Sequence, residues 1–119
     1  MAKKILIIDD SPASVDIMTK MLDSEYSITS TSNGNDGLNA VLKEKPDLVI
    51  VDIVLPDMNG VEVCNRIRHK MGKDKPKIIA ITGVIDAVDA VGAKRAGADD
   101  FCVKSSDMSH LAEAVKKLI

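Results

Sequence analysis

Apolar and polar residues alternate along the chain in blocks that predict strands and helices in turn. Four runs of three or four apolar residues, rich in isoleucine and valine, each end at a polar residue: 5–8, 48–51, 78–81 and 101–103. Such short runs are typical of strands buried on both faces of a parallel sheet. Residues 26–31 predict a weaker strand, because Ile28 stands between Ser27 and Thr29.

Between these runs, apolar residues recur at helical spacing. The expected helices cover residues 12 to about 25, about 36–45, about 60–71, about 85–96 and about 107–118. Ile17 and Leu42 are assigned to the buried faces of the first two helices. Ser11 before Pro12 suits a helix N-terminus. The resulting order, strand then helix five times over, predicts an α/β fold with helices on both faces of one parallel sheet.

Composition indicates an ordinary globular protein. The 119 residues are 45% hydrophobic and 29% charged, with a net charge of −2, so we expect one domain over residues 1–119 and no electrostatic bias toward nucleic acid. The apolar runs are far shorter than the roughly 20 residues of a membrane span. Residues 1–4 are followed by too few apolar residues for a signal peptide. A cytoplasmic protein is therefore expected.

The residues that most often form sites elsewhere are better explained structurally here. Cys64 and Cys102 are the two cysteines, and both lie in apolar stretches, which favours buried thiols over a redox pair. His69 and His110 stand in polar helical contexts and are interpreted as solvated. The basic residues from Arg66 to Lys77, Arg68 among them, are likewise interpreted as a solvated helix end.

The polar residues that end the strand-like runs predict a site. Asp9 and Asp10 follow the first run, Asp52 the second, Thr82 the third and Lys104 the last. Each alone is consistent with turn or helix-capping chemistry. In an open α/β sheet, however, ligands bind beyond the carboxyl ends of the strands. Converging carboxylates without histidine or cysteine favour Mg²⁺, while a hydroxyl and an ammonium group are donors suited to a phosphoryl oxygen.

With these motifs in view, the chain resembles a response-regulator receiver domain of two-component signalling, of the chemotaxis-regulator type, from about Lys3 to Leu118. The matching segments are residues 7–10, 48–52, 55–60, 80–83 and 96–101, together with Lys104. The resemblance implies a flavodoxin-like, doubly wound sheet of five parallel strands, (βα)5, in the order 2-1-3-4-5. It also implies a single receiver domain whose enzymatic activity is limited to self-phosphotransfer and slow autodephosphorylation.

The resemblance implies roles for the acidic residues. Asp52 is the expected phosphoacceptor and, with Asp10 and the backbone carbonyl of Val54, a direct ligand of Mg²⁺. Asp9 is expected to bind the metal through water. The phosphoryl donor is expected to be a histidine kinase or a histidine phosphotransfer protein.

The resemblance also implies how the domain responds. Lys104 is expected to pair with the phosphoryl group, Thr82 to move toward it, and Phe101 to rotate inward as the switch aromatic. The surface formed by helix 4, strand 5 and helix 5 would then control a downstream protein or an attached output domain, with no direct contact to nucleic acid or membrane. The chain departs from the family where Ser105 replaces the usual proline after the lysine, and Phe101 lacks the hydroxyl of the more familiar tyrosine.

Two other functions stay open at this stage. One is a pseudo-receiver, a binding module that is never phosphorylated. The other is an aspartate-based phosphohydrolase of the haloacid-dehalogenase type, which needs an acid two residues after its nucleophile, where this chain has Val54.

Overall fold

Five parallel strands form one sheet with helices on both faces. The computed structural model describes residues 2–83, 87–105 and 108–119. The strands are β1 (Lys4–Ile8), β2 (Ser27–Thr31), β3 (Leu48–Asp52), β4 (Lys77–Thr82) and β5 (Asp100–Val103). The helices are α1 (Pro12–Leu22), α2 (Gly34–Glu44), α3 (Gly60–Met71), α4 (Ala87–Arg95) and α5 (Ser109–Leu118). The strand order β2-β1-β3-β4-β5 confirms the predicted fold class and order.

Alternate side chains of each strand enter two separate cores. In β1, Leu6 and Ile8 pack with α2, α3 and α4, whereas Ile5 and Ile7 pack with α1 and α5. Every residue of β3, at the centre of the sheet, is buried, which explains its uninterrupted apolar sequence. The edge strand β2 keeps exposed positions, and its apolar signal is correspondingly weak.

The observed helix bounds differ slightly from the predicted ones. Helix α2 begins two residues earlier than expected, at Gly34, because the Asn33 side chain caps it by accepting a hydrogen bond from the Asp36 amide at 2.8 Å. The predicted starts of helices 4 and 5, at Ile85 and Asp107, lie outside the described residues.

Two predicted core residues are wrong. Ile17 is 40% exposed and Leu42 is 44% exposed. Ile17 precedes the buried Met18 by one position, Leu42 follows the buried Val41 by one position, and one position turns a helix by about 100°. The buried face of α2, for example, runs through Gly34, Gly37 and Val41, so Leu42 points away from it.

The two thiols are buried, as predicted. Burial raises the pKa of Cys64 to about 12 and that of Cys102 to about 11. Both groups therefore stay protonated and unreactive at neutral pH. His69 and His110 are exposed, as expected.

The parallel arrangement brings the carboxyl ends of β1, β3, β4 and β5 to one edge of the sheet. The register aligns Ile8 with Val51 and Asp52 with Ile81, so the polar residues after these strands are neighbours. No helix in the described part of the chain is long and apolar enough to cross a membrane.

Candidate functional site

A lysine and two buried aspartates form the centre of the site. The Lys104 ammonium lies 2.7 Å from Asp52 Oδ2 and 3.0 Å from Asp9 Oδ2. Both carboxylates are nearly inaccessible, and the lysine side chain is 17% exposed. The lysine therefore bridges the ends of β1 and β3 from the end of β5.

Backbone amides hold the other oxygen of each buried aspartate. The Ser11 amide donates to Asp9 Oδ1 at 2.9 Å, and the Val54 amide donates to Asp52 Oδ1 at 2.9 Å. Each bond spans two residues, so the turn after each strand fixes the carboxylate that ends the strand. The orientation of the site is thus built into local chain geometry.

A third carboxylate makes the site suitable for a metal ion. Asp10 is exposed, yet Asp9, Asp10 and Asp52 each offer an oxygen, and these atoms lie within 4.8 Å of one another. Adjacent side chains of a strand diverge, but the chain leaves the strand at Ile8, and both Asp9 and Asp10 reach the site. An all-oxygen donor set of this kind fits a hard divalent cation.

Burial and charge act in opposite directions on the ionisable groups. Burial raises the pKa of Asp9, although the Ser11 amide and Lys104 lower it. Burial alone would lower the pKa of Lys104, but its bonds to Asp52 and Asp9 outweigh that effect and leave the pKa raised. Lys104 is therefore a permanent cation at physiological pH.

The two predicted switch residues lie beside this centre. Thr82 is buried at the end of β4, and its carbonyl accepts a hydrogen bond from the Lys104 amide at 2.7 Å. Phe101 pairs with Ala80 in the sheet register and packs, partly buried, against the core on the α2–α4 side.

Ser105, which replaces the family's proline, takes a capping role. Its hydroxyl accepts a hydrogen bond from the Met108 amide at 3.1 Å, at the entry to α5. Among the described residues the one cis peptide bond joins Lys75 and Pro76, so the Lys104–Ser105 bond is trans. Lys104 reaches both aspartates with this geometry.

Two structural features were missed by the sequence analysis. The interpretation of Arg68 as solvated is wrong: its side chain is 10% exposed and forms a 2.8 Å ion pair with Asp99. Asp57, in the loop after β3, accepts hydrogen bonds from the amides of Gly34 and Asn35. Both pairs join segments more than 20 residues apart, and no local pattern marks them.

The sequence is similar to a known protein family. The family model described as the response regulator receiver domain matches residues 5–116. The chain is 34% identical over 117 residues to the DNA-binding response regulator MtrA of Mycolicibacterium smegmatis, which covers 98% of this chain and 50% of MtrA. The chain thus spans about half the length of this curated relative.

Solved structures show the same fold. The response regulator TrrA of Thermotoga maritima, in complex with Mg²⁺ and BeF, is 35% identical, with a TM-score of 0.88 and coverage of 98% of this chain and 99% of TrrA. A CheY-like receiver domain protein of Methanospirillum hungatei is 30% identical, with a TM-score of 0.90 and coverage of 98% and 93%. The chain therefore belongs to the response regulator receiver domain family.

Proposed function

We propose that this receiver domain accepts a phosphoryl group on Asp52 from the phosphohistidine of a histidine kinase or a histidine phosphotransfer protein. The observation that carries the proposal is the excess of negative over positive charge at the site. One ammonium group, Lys104, faces two buried carboxylates, and a third, that of Asp10, lies within reach. Such an excess of negative charge is costly unless a cation shares it.

The residues present fit Mg²⁺. Asp10, Asp52 and the Val54 carbonyl would hold the ion directly, with Asp9 behind a water molecule. TrrA was crystallised with Mg²⁺ and BeF, which supports this assignment. When bound, the ion supplies positive charge that balances the carboxylates and the oxygens of an incoming phosphoryl group.

In the transfer, the protein's own residues position the phosphoryl group and neutralise its negative charge. An oxygen of Asp52 attacks phosphorus, the bond from phosphorus to the histidine nitrogen breaks, and an acyl phosphate forms on the carboxylate. Lys104 sits 2.7 Å from Asp52 and would pair with the transferred group. Thr82, buried at the end of the neighbouring strand, would donate its hydroxyl to the same group.

We further propose that phosphorylation changes the surface of α4, β5 and α5, with Thr82 and Phe101 as the moving parts. The domain would then act on a protein target or on an output domain attached in a longer protein, rather than on nucleic acid directly. The location that suits these partners is the cytoplasm. The length of MtrA, twice that of this chain, supports an attached output domain.

The test is phosphorylation with acetyl phosphate and Mg²⁺, followed by mass spectrometry of the intact protein. Wild-type protein should gain one phosphoryl group that base removes, and Asp52→Asn should gain none. Asp23→Asn, which changes an exposed aspartate at the end of α1, is the matched control and should label normally. Labelling that survives in Asp52→Asn would move the acceptor elsewhere, and no labelling of wild type would favour a pseudo-receiver.

A further inference from the structure

The loop after β3 folds back on itself as a hairpin, residues 53–60, hereafter the β3–α3 hairpin. The Gly60 amide donates to the Ile53 carbonyl at 2.7 Å, and Val54 and Asn59 form an antiparallel bridge. A side chain at Gly60 would collide with the Asp52 carbonyl oxygen. The base of the hairpin is therefore pressed against the end of the phosphoacceptor strand.

The tip of the hairpin is attached to the first turn of α2. The Asp57 carboxylate accepts hydrogen bonds from the amides of Gly34 at 2.8 Å and Asn35 at 2.9 Å. These are amides of the first turn, which have no acceptor within the helix, and a carboxylate there interacts favourably with the helix dipole. Beside this bond Met58 packs on Gly34, where a Cβ atom would lie 2.6 Å from Met58 Cγ.

Asp57 does not replace the N-cap of α2. The helix has its own cap, because Asn33 Oδ1 accepts from the Asp36 amide at 2.8 Å. Asp57 comes from a segment more than 20 residues further along the chain and is exposed. Its distinct effect is to fix the hairpin relative to α2.

The hairpin and α2 both connect to the proposed cation site. Val54, between the base and the tip, donates its amide to Asp52 Oδ1 at 2.9 Å. On the other side, the Asp9 amide donates to the carbonyl of Thr31, which precedes α2, at 3.1 Å. A closed path of contacts thus runs from Asp9 through the start of α2 and Asp57 to Val54 and Asp52.

We propose that Asp57 is a positioning residue for the cation site: its contact with the first turn of α2 holds the β3–α3 hairpin so that the Val54 carbonyl and the Asp52 carboxylate keep the arrangement a divalent cation requires. The inference rests on the proposed function for the identity of the cation as Mg²⁺. Partners that orient metal ligands from outside the coordination sphere typically change metal affinity 10- to 100-fold when removed.

The experiment measures Mg²⁺ affinity by following amide signals in a magnetic resonance titration of wild type and variants. Asp57→Ala should raise the dissociation constant about tenfold. Asp57→Asn, which keeps one acceptor oxygen, should show a smaller loss. The matched control is Asn33→Ala, which removes a cap from the same helix without touching the hairpin. It should lower the melting temperature and leave Mg²⁺ affinity unchanged within about twofold.

A second readout needs no metal. The Gly60 amide closes the base of the hairpin, so its hydrogen exchange in metal-free protein reports whether the hairpin is held. Exchange should accelerate in Asp57→Ala and in Gly34→Ala, whose new methyl group displaces Met58, but not in Asn33→Ala.

Equal loss of Mg²⁺ affinity in Asp57→Ala and Asn33→Ala would overturn the proposal, since helix stability would then explain both. Unchanged affinity and unchanged Gly60 exchange in Asp57→Ala would overturn it as well. Failure of the cation assignment is a separate outcome: wild type would not bind Mg²⁺, while Gly60 exchange would still show whether Asp57 holds the hairpin.

Discussion

The sheet has one largely buried ion-pair cluster at the amino-terminal edge of its strands and another at their carboxyl-terminal edge. The two clusters are built differently. At the amino-terminal edge of β4 and β5, Arg68 pairs with Asp99 at 2.8 Å and also donates to the carbonyls of Gly97 at 2.9 Å and Pro76 at 2.6 Å. Asp99 in turn accepts a hydrogen bond from the Ile78 amide at 2.8 Å. One positive charge meets one negative charge, and hydrogen bonds satisfy both.

At the carboxyl-terminal edge the charges do not balance. Lys104 contacts Asp9 and Asp52, and an oxygen of Asp10 lies within 4.8 Å of theirs. A buried pair with full hydrogen bonding serves to hold chain segments together. A cluster that keeps excess negative charge weakens the free protein and gains from a cation. The contrast separates a structural cluster, at Arg68 and Asp99, from the proposed cation site within the same sheet.

The largest expected effect is on the structural cluster. Arg68→Met should lower the free energy of unfolding by about 3 kcal/mol, because Asp99 is left largely buried without its partner. The estimate is at the low end of the usual range since Asp99 is 23% exposed. Denaturant unfolding measures the loss, and Mg²⁺ should not reverse it.

Arg66→Met is the matched control for this change. Arg66 also forms an ion pair, with Glu62 at 2.9 Å, but both side chains are about half exposed. Its removal should cost no more than about 0.5 kcal/mol. Equal losses in the two variants would contradict the distinction between a buried and a solvated arginine.

The second-largest effect concerns the proposed cation site, where a substitution should stabilise the metal-free protein instead of destabilising it. Asp10→Asn should raise the melting temperature of metal-free protein, because it removes one of the mutually repelling carboxylates. It should also abolish stabilisation by Mg²⁺, which for wild type amounts to about 2.7 kcal/mol at 100 times the dissociation constant. Thermal unfolding with and without Mg²⁺ measures both, with Asp23→Asn as the control. An unchanged Mg²⁺ response in Asp10→Asn would show that Asp10 is not a ligand.

The two clusters also differ in how far the sequence revealed them. The convergence of Asp9, Asp52 and Lys104 at the carboxyl-terminal edge could be predicted, because strand-like runs end directly at these residues and parallel strands align their ends. Arg68 stands in a run of basic residues that resembles any solvated helix end, and nothing near it in the sequence points to Asp99.

The same limit applies to the rest of the fold. Strand order followed from resemblance to a family, and helix positions followed from periodicity. The outward direction of Leu42 depends on how wide a face of α2 the sheet covers, which the spacing of apolar residues does not give. Nothing near Asp57 in the sequence marks its role, since its partners at the start of α2 precede it by more than 20 residues.

Helix α4 connects the two edges, and its centre gives the smallest expected effect. It begins five residues after Thr82, which lies at the carboxyl-terminal edge. Past the end of the helix, the Gly97 carbonyl accepts a hydrogen bond from Arg68. Gly92 lies in the middle of α4, and among the side chains that the structure describes a Cβ atom there would meet only the Val61 methyl groups, at 4.0 Å.

Gly92→Ala should therefore raise the free energy of unfolding by about 0.5–1 kcal/mol. Gly72→Ala is the control: it also has open space, but its φ of 97° and ψ of −179° lie in a region that essentially only glycine adopts, so stability should fall by about 1–3 kcal/mol. Denaturant unfolding measures both, and a loss of stability in Gly92→Ala would contradict the argument from free space. A gain would show that Gly92 keeps α4 less stable than its surroundings allow, which is what the proposed change of the α4, β5 and α5 surface on phosphorylation would need.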